Sequence, residues 1–93
     1  MQVYKLKTTK RFEKDFIKCS RRNFNLEALG EVLELLESSG QLPKHFKSHR
    51  LSGKYNGFWE CHIRPDWLLI WRQNDKTKII ELTSTGTHSD LFK

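Results

Sequence analysis

The spacing of the apolar residues changes once along this chain, and that change limits the folds open to it. Up to about residue 40 the spacing is helical. Phe12, Phe16 and Cys19 recur at i, i+4 and i+7 with Ile17 beside them, and Leu26, Leu29, Val32, Leu33 and Leu36 form a second stripe. After Gly57 the period is two. Gly57–Ile63 and Trp67–Gln73 are rich in aromatic and β-branched residues, and Lys78–Ser84 reads as a further strand.

Local punctuation fits these elements. Gln2–Lys7 suggests a first strand, and Thr8 or Thr9 can cap a helix running to about Arg22. Asn23-Phe24-Asn25 breaks the pattern, and Asn25 caps the next helix, which Ser38-Ser39-Gly40 and then Pro43 bring to an end. Lys44–Asn56 is polar and loop-like. Arg64-Pro65-Asp66 and Asn74-Asp75-Lys76 are turns, and His88–Phe92 closes the chain as a short helical turn after Thr85-Gly86-Thr87. The expected fold class is α+β: two antiparallel N-terminal helices packed on a twisted, mostly antiparallel sheet of four or five strands. Ninety-three residues suit one domain, taken as 1–93, since domains hold roughly 100–150 residues.

The hairpin around Pro65 permits a sharper expectation. With an even-numbered loop, Phe58, Glu60 and His62 share a face with Trp67, Leu69 and Trp71. Trp59, Cys61, Ile63, Leu68 and Ile70 then form a wholly apolar face that packs on the helices. The mixed face looks outward, and its rings, His62 and nearby bases have the ingredients for stacking RNA bases and contacting phosphates. A protein interface or a second small core is the alternative.

Charge narrows the class of partner. The chain carries 17 Lys and Arg against 11 acids, a net +6. Residues 1–24 hold +6, residues 25–42 hold −4 and residues 43–72 hold +4, so two basic blocks flank an acidic helix. Such an excess favours an anionic partner: nucleic acid, a membrane surface or an acidic protein. The N-terminal stretch has no apolar region of signal-peptide type, and the longest apolar run, Trp67–Trp71, is far short of the ~20 residues a membrane span needs. Cys19 and Cys61 form no C-x-x-C motif. The expectation is a cytoplasmic protein with reduced thiols and no membrane partner.

Chemistry centres on four histidines, all after Pro43: His45, His49, His62 and His88. His45 and His49 have the spacing of two ligands on a helix, but no companion pair follows, so neither a metal nor another cofactor is expected. No phosphate-binding glycine loop or G-x-S-x-G motif is present. Cys61 and His62 are adjacent in a strand and point to opposite faces, which argues against a thiol nucleophile. What remains is acid–base chemistry on RNA, where cleavage through the 2′-hydroxyl needs a base, an acid and positive charge at the phosphorus. His49, His62 and His88, with Asp66, come from separate segments and suit those proton transfers.

Gly57–Ile70 and Thr85-Gly86-Thr87-His88-Ser89-Asp90-Leu91-Phe92 strongly resemble the YafQ-type toxins of the RelE superfamily, and Phe46–Gly53 fits their H-x-L-x-G pattern. The similarity covers the whole chain. It implies the toxin of a type II toxin–antitoxin system: a ribosome-dependent endoribonuclease, or mRNA interferase, that cuts mRNA in the A site by 2′-hydroxyl attack without metal. By motif position it implies His49, His62, Asp66 and His88 as the proton-transfer set, with His88 as acid and His49 or Asp66 as base. Trp67 and Phe92 would hold the mRNA. The basic N-terminal helix, with Lys10, Arg11, Lys14, Lys18, Arg21 and Arg22, would contact ribosomal RNA. A DinJ-like antitoxin would neutralise the toxin through an acidic segment.

One position departs from the family pattern. Arg commonly precedes the T-G-[ST]-H motif, and here that position is Ser84. Losing such a contact costs roughly 10²–10³ in rate if nothing compensates. Arg50, Arg64 and Arg72 are the candidate replacements. The alternative is a catalytically impaired or non-catalytic toxin of RelE/ParE fold that acts by binding.

Overall fold

The computed structural model describes residues 3–92. Strand β1 (Lys5–Thr8) leads into helix α1 (Lys10–Arg21), followed by helix α2 (Leu26–Ser39). The central segment holds 3₁₀ turns at Lys44–Phe46 and Gly53–Tyr55 around a two-residue strand β2 (His49–Arg50). Strands β3 (Trp59–Arg64), β4 (Trp67–Asn74) and β5 (Ile79–Gly86) then form a meander, and helix α3 (His88–Leu91) closes it. The expected start of the first strand, Gln2, lies outside the described residues.

The helix ends follow the sequence signals. Thr9 is the N-cap of α1, its hydroxyl accepting from the Phe12 amide, and Asn25 caps α2 by accepting from the amides of Glu27 and Ala28. Gly40 ends α2 in the left-handed region at φ 69°, where a Cβ would stand 2.5 Å from the Tyr4 ring. Strand β2 and the two 3₁₀ turns lie where the sequence shows only a polar, loop-like stretch, and β2 is the one of them that extends the sheet. It is two polar residues long, too short to show a period, and it exists because β3 offers an edge to pair with.

The sheet order is β1-β5-β4-β3-β2, with β1 parallel to β5 and every other pairing antiparallel. Both long helices cover one face. Phe12 and Cys19 of α1 and Ala28, Leu29, Val32 and Leu36 of α2 close over Cys61, Leu69, Trp71, Ile80 and Leu82. The opposite face carries a smaller cluster of Leu68, Ile70 and Leu91, with Leu51 and Phe58 packed on it. At about 25 cal/mol per Å², the larger layer supplies most of the hydrophobic stabilisation.

The hairpin expectation needs a correction. Arg64 does pair with Trp67 across a two-residue Pro65-Asp66 loop, but the register then shifts so that His62 pairs with Leu68, Cys61 with Leu69 and Trp59 with Trp71. Ile63 is the extra residue of a β-bulge. The β3 half of the expectation stands: Trp59, Cys61 and Ile63 face the helices. The β4 half is inverted, with Trp67, Leu69 and Trp71 in the main core and Leu68 and Ile70 on the open face beside Glu60 and His62. Burial is the physical reason. The bulged register covers two tryptophans that the unbulged one would leave on the open face.

Candidate active site

The open face of the sheet gathers the histidines. Edge strand β2 brings His49 opposite Glu60 of β3, and the His49 Nε2 stands 3.3 Å from Glu60 Oε1. His49 Nδ1 meets the Lys47 carbonyl at 3.0 Å. Two residues along β3, on the same face, His62 places its Nε2 4.0 Å from the same Glu60 oxygen. Beyond it the rings of His62 and His88 lie 5.8 Å apart. The row ends at Asp66 in the β3–β4 turn, whose Oδ1 takes both the His88 backbone N–H at 3.0 Å and the His88 Nδ1 at 2.5 Å. Five side chains from four segments thus make one continuous array.

The array has two different ends. His88 and Asp66 are more than half exposed, whereas Glu60 is 6% exposed beneath His49 and His62. An ionised carboxylate only accepts, so the contact with Asp66 puts hydrogen on His88 Nδ1 and leaves Nε2 as the outward-facing nitrogen. The His88 amide, and then its ring, hold the Asp66 carboxyl below the usual carboxylate range. At the other end, both ring nitrogens of His49 face acceptors.

Helix α3 is tied down on its far side. Thr87 and Asp90 make a reciprocal capping box, and Asp90 accepts from Arg22 Nη1 at 2.7 Å and Nη2 at 3.0 Å. The Arg22 hydrogen bonds hold the Asp90 carboxyl well below the carboxylate range. Lys18 adds a 3.5 Å ion pair to the same carboxylate. Just before the helix, the Thr85 amide donates to Asp15 of α1, a carboxyl whose pKa burial pushes up.

Among the residues anticipated for the site, the fold brings together His49, His62, Asp66 and His88. Phe92 is exposed at the end of α3, with Tyr55 against it at 5.4 Å. Trp67 is a correction. It is 3% exposed, belongs to the main core against Phe24, and donates its indole N–H to Thr85 Oγ1 at 2.9 Å, so it offers no face for a base to stack on. Arg50 and Arg64 also turn away. The Arg50 guanidinium lies over Trp59, which stacks on Trp71, and Arg64 donates to the Ile63 carbonyl. Arg72 stays on the open face. On α1, Lys10, Lys14 and Arg21 are exposed cations, while Arg11 pairs with Asp15 at 3.7 Å and Lys18 and Arg22 serve Asp90.

Glu60 was not singled out in the sequence, although a carboxylate alternating with His62 in an otherwise apolar strand was its signal. His45, away from the array, stacks on Phe46 at 4.1 Å. Cys61 is fully buried on the helix side, and burial pushes its thiol up to about 12, which leaves no thiolate for catalysis. Ser84 is 3% exposed and sits opposite Ile70, in the row that Glu60 begins.

Residues 4–93 match the family model described as "Bacterial toxin of type II toxin-antitoxin system, YafQ". The chain belongs to the YafQ family of type II toxins. The mRNA interferase toxin YafQ of Escherichia coli is 33% identical over 82 residues, 87% of each chain. The structure of the E. coli DinJ–YafQ toxin–antitoxin complex superposes with a TM-score of 0.89 at 29% identity, covering 98% of this chain and 99% of that one. A metal-bound toxin from Helicobacter pylori gives 0.85 at 33% identity, covering 99% and 100%. The α+β architecture is therefore that of solved YafQ toxins, and among the described residues no helix is long and apolar enough to cross a membrane.

Proposed function

We propose that this toxin is an mRNA interferase that cuts mRNA in the ribosomal A site, with an antitoxin of DinJ type as its inhibitor. The observation that carries the reading is the unbroken array His49–Glu60–His62–His88–Asp66 on the open face of the sheet. Cleavage begins when the 2′-hydroxyl loses its proton and attacks the adjacent phosphorus. Glu60, with His49 and His62 against it, is the base end of the array. The bond to the 5′-oxygen then breaks as His88 Nε2 protonates it, leaving a 2′,3′-cyclic phosphate and a 5′-hydroxyl. Asp66 acts through His88 by fixing its ring and supporting its charge, as a carboxylate behind a catalytic imidazole does. Asp66 is thus a positioning group rather than the base.

The exposed cations Lys10, Lys14 and Arg21 supply the footprint for ribosomal RNA, which is sequence-independent and weakened by salt. The relative solved as a DinJ–YafQ complex supports an antitoxin partner. Cytoplasmic residence follows from the need to meet ribosomes. The test is cleavage of mRNA on programmed ribosomes, read as appearance of a cyclic-phosphate end. Wild type is expected to cut, and His88→Ala to lose about 10²–10⁴ in rate while keeping its fold. Full activity of His88→Ala rejects the acid assignment, and a wild type that never cuts rejects the nuclease.

A second reading rests on Ser84, which brings no charge to the floor of the face. A toxin that only binds would cut nothing as wild type and would gain cleavage as Ser84→Arg.

A further inference from the structure

An RNA-cleaving face needs a cation for the phosphate and surfaces for the bases, and the array supplies neither. Its open face is built in three rows across β3, β4 and β5. His62, Leu68 and Gly86 form one, Glu60, Ile70 and Ser84 the next, and Arg72 and Glu81 the third, with Phe58 under the Arg72 guanidinium. Rows two residues apart lie about 6.7 Å apart. Arg72 is therefore one row beyond Glu60 and Ser84, within the swing of its own side chain.

Three properties separate Arg72 from the other arginines. It shares its face with Glu60 and His62, whereas the Arg50 guanidinium lies over Trp59 on the helix side and Arg64 is turned onto a carbonyl. It has no carboxylate partner among the described residues, even with Glu81 opposite it in the ladder, whereas Arg11 and Arg22 are paired. And it is held in place by a ring, its guanidinium 5.4 Å above Phe58. That ring belongs to a wall: Phe58 meets Tyr55 edge-on at 6.4 Å, and Tyr55 meets Phe92 edge-on at 5.4 Å, beside the helix that carries His88.

We infer that Arg72 is the phosphate-binding cation of this toxin and that Tyr55 and Phe58 continue the wall begun by Phe92, on which the bases flanking the cut stack. The inference rests on the RNA-cleaving reading and assigns to Arg72 the charge that Ser84 lacks. An unpaired guanidinium resting on a ring is suited to this work. It keeps its charge, presents N–H groups in a plane that matches phosphate oxygens, and pays little to leave its resting place. Aromatic stacking accepts any base, so the wall holds the strand while leaving sequence choice to other contacts.

Two measurements on Arg72→Ala test this, with Lys44→Ala as the charge-matched control, an exposed cation in the 3₁₀ turn whose Phe46 packs into the helix-side core. The first is single-turnover mRNA cleavage on programmed ribosomes. The second is the salt dependence of binding a 2′-O-methylated oligoribonucleotide, which cannot be cut. Arg72→Ala is expected to slow cleavage about 10²-fold and to make the binding slope shallower by about 0.7. Arg72→Lys should fall between, and adding Ser84→Arg to Arg72→Ala should restore cleavage. Cleavage and slope in Arg72→Ala that both match the Lys44→Ala control overturn the inference. A wild type that never cuts, with a slope that still depends on Arg72, overturns the nuclease reading and keeps the phosphate contact.

Discussion

Glu60 is nearly inaccessible to water, yet the partners its side chain has are the rings of two histidines, His49 half-exposed and His62 a quarter exposed. Burying an ionised carboxylate costs several kcal/mol before any partner is counted. A chain selected for stability alone would hold an apolar residue there, as it does at neighbouring Ile70 and Leu68. The arrangement is understandable if the carboxylate is needed by the imidazoles. Glu60→Gln keeps the shape and removes the charge. It is expected to lower mRNA cleavage by about 10-fold or more while leaving the urea midpoint unchanged or higher. A midpoint that falls in step with cleavage would make Glu60 a structural residue.

Helix α3 shows how a four-residue element can hold a reacting group. A single turn has no cooperative stability of its own, so its position is set by what grips it. Asp66 grips its first amide and the His88 ring, and Asp90 grips Thr87 on one side and Arg22 on the other. The entry to the helix is equally constrained. Gly86 sits at φ 155°, and a Cβ there would stand 2.8 Å from Asp90 Oδ2 and 2.9 Å from its Cβ. Gly86→Ala should therefore push Asp90 out of the capping box, lowering stability by about 1–3 kcal/mol in thermal unfolding and displacing His88. Loss of cleavage should exceed what the unfolded fraction explains.

For the molecule as a whole, the Arg22–Asp90 contact joins the basic helix α1 to the helix that carries His88, across 68 residues of sequence. Its pH dependence has a definite sign. The folded pKa of Asp90 is depressed below the unfolded value of about 3.9, so the contact contributes fully above that value. It is lost as pH falls through the depressed folded value. The difference in urea midpoint between wild type and Asp90→Asn should hold constant from pH 5 to 8 and shrink below about pH 4. A difference that instead grows with acid would place the stabilisation elsewhere. The net charge of +6 is likewise unevenly available, since part of the α1 charge is used within the fold and Arg72 is left free on the open face.

Much of this was legible in the chain. The helical stripe of Leu29, Val32 and Leu36 and the alternation through Trp59, Cys61 and Ile63 placed those residues correctly, because a period is a property of residues a few positions apart. The motif around His62, Asp66 and His88 identified the toxin family for the same local reason. Three outcomes were not local. The Ile63 bulge turned Trp67, Leu69 and Trp71 inward because burying two indoles outweighs an unbroken ladder. The two-residue strand at His49 formed because β3 presented an edge. Which arginines keep a free charge depended on the carboxylates and carbonyls that other segments brought near them. Spacing along the chain settles which side chains alternate together, but which strand rows become neighbours is decided by burial and pairing between segments distant in sequence.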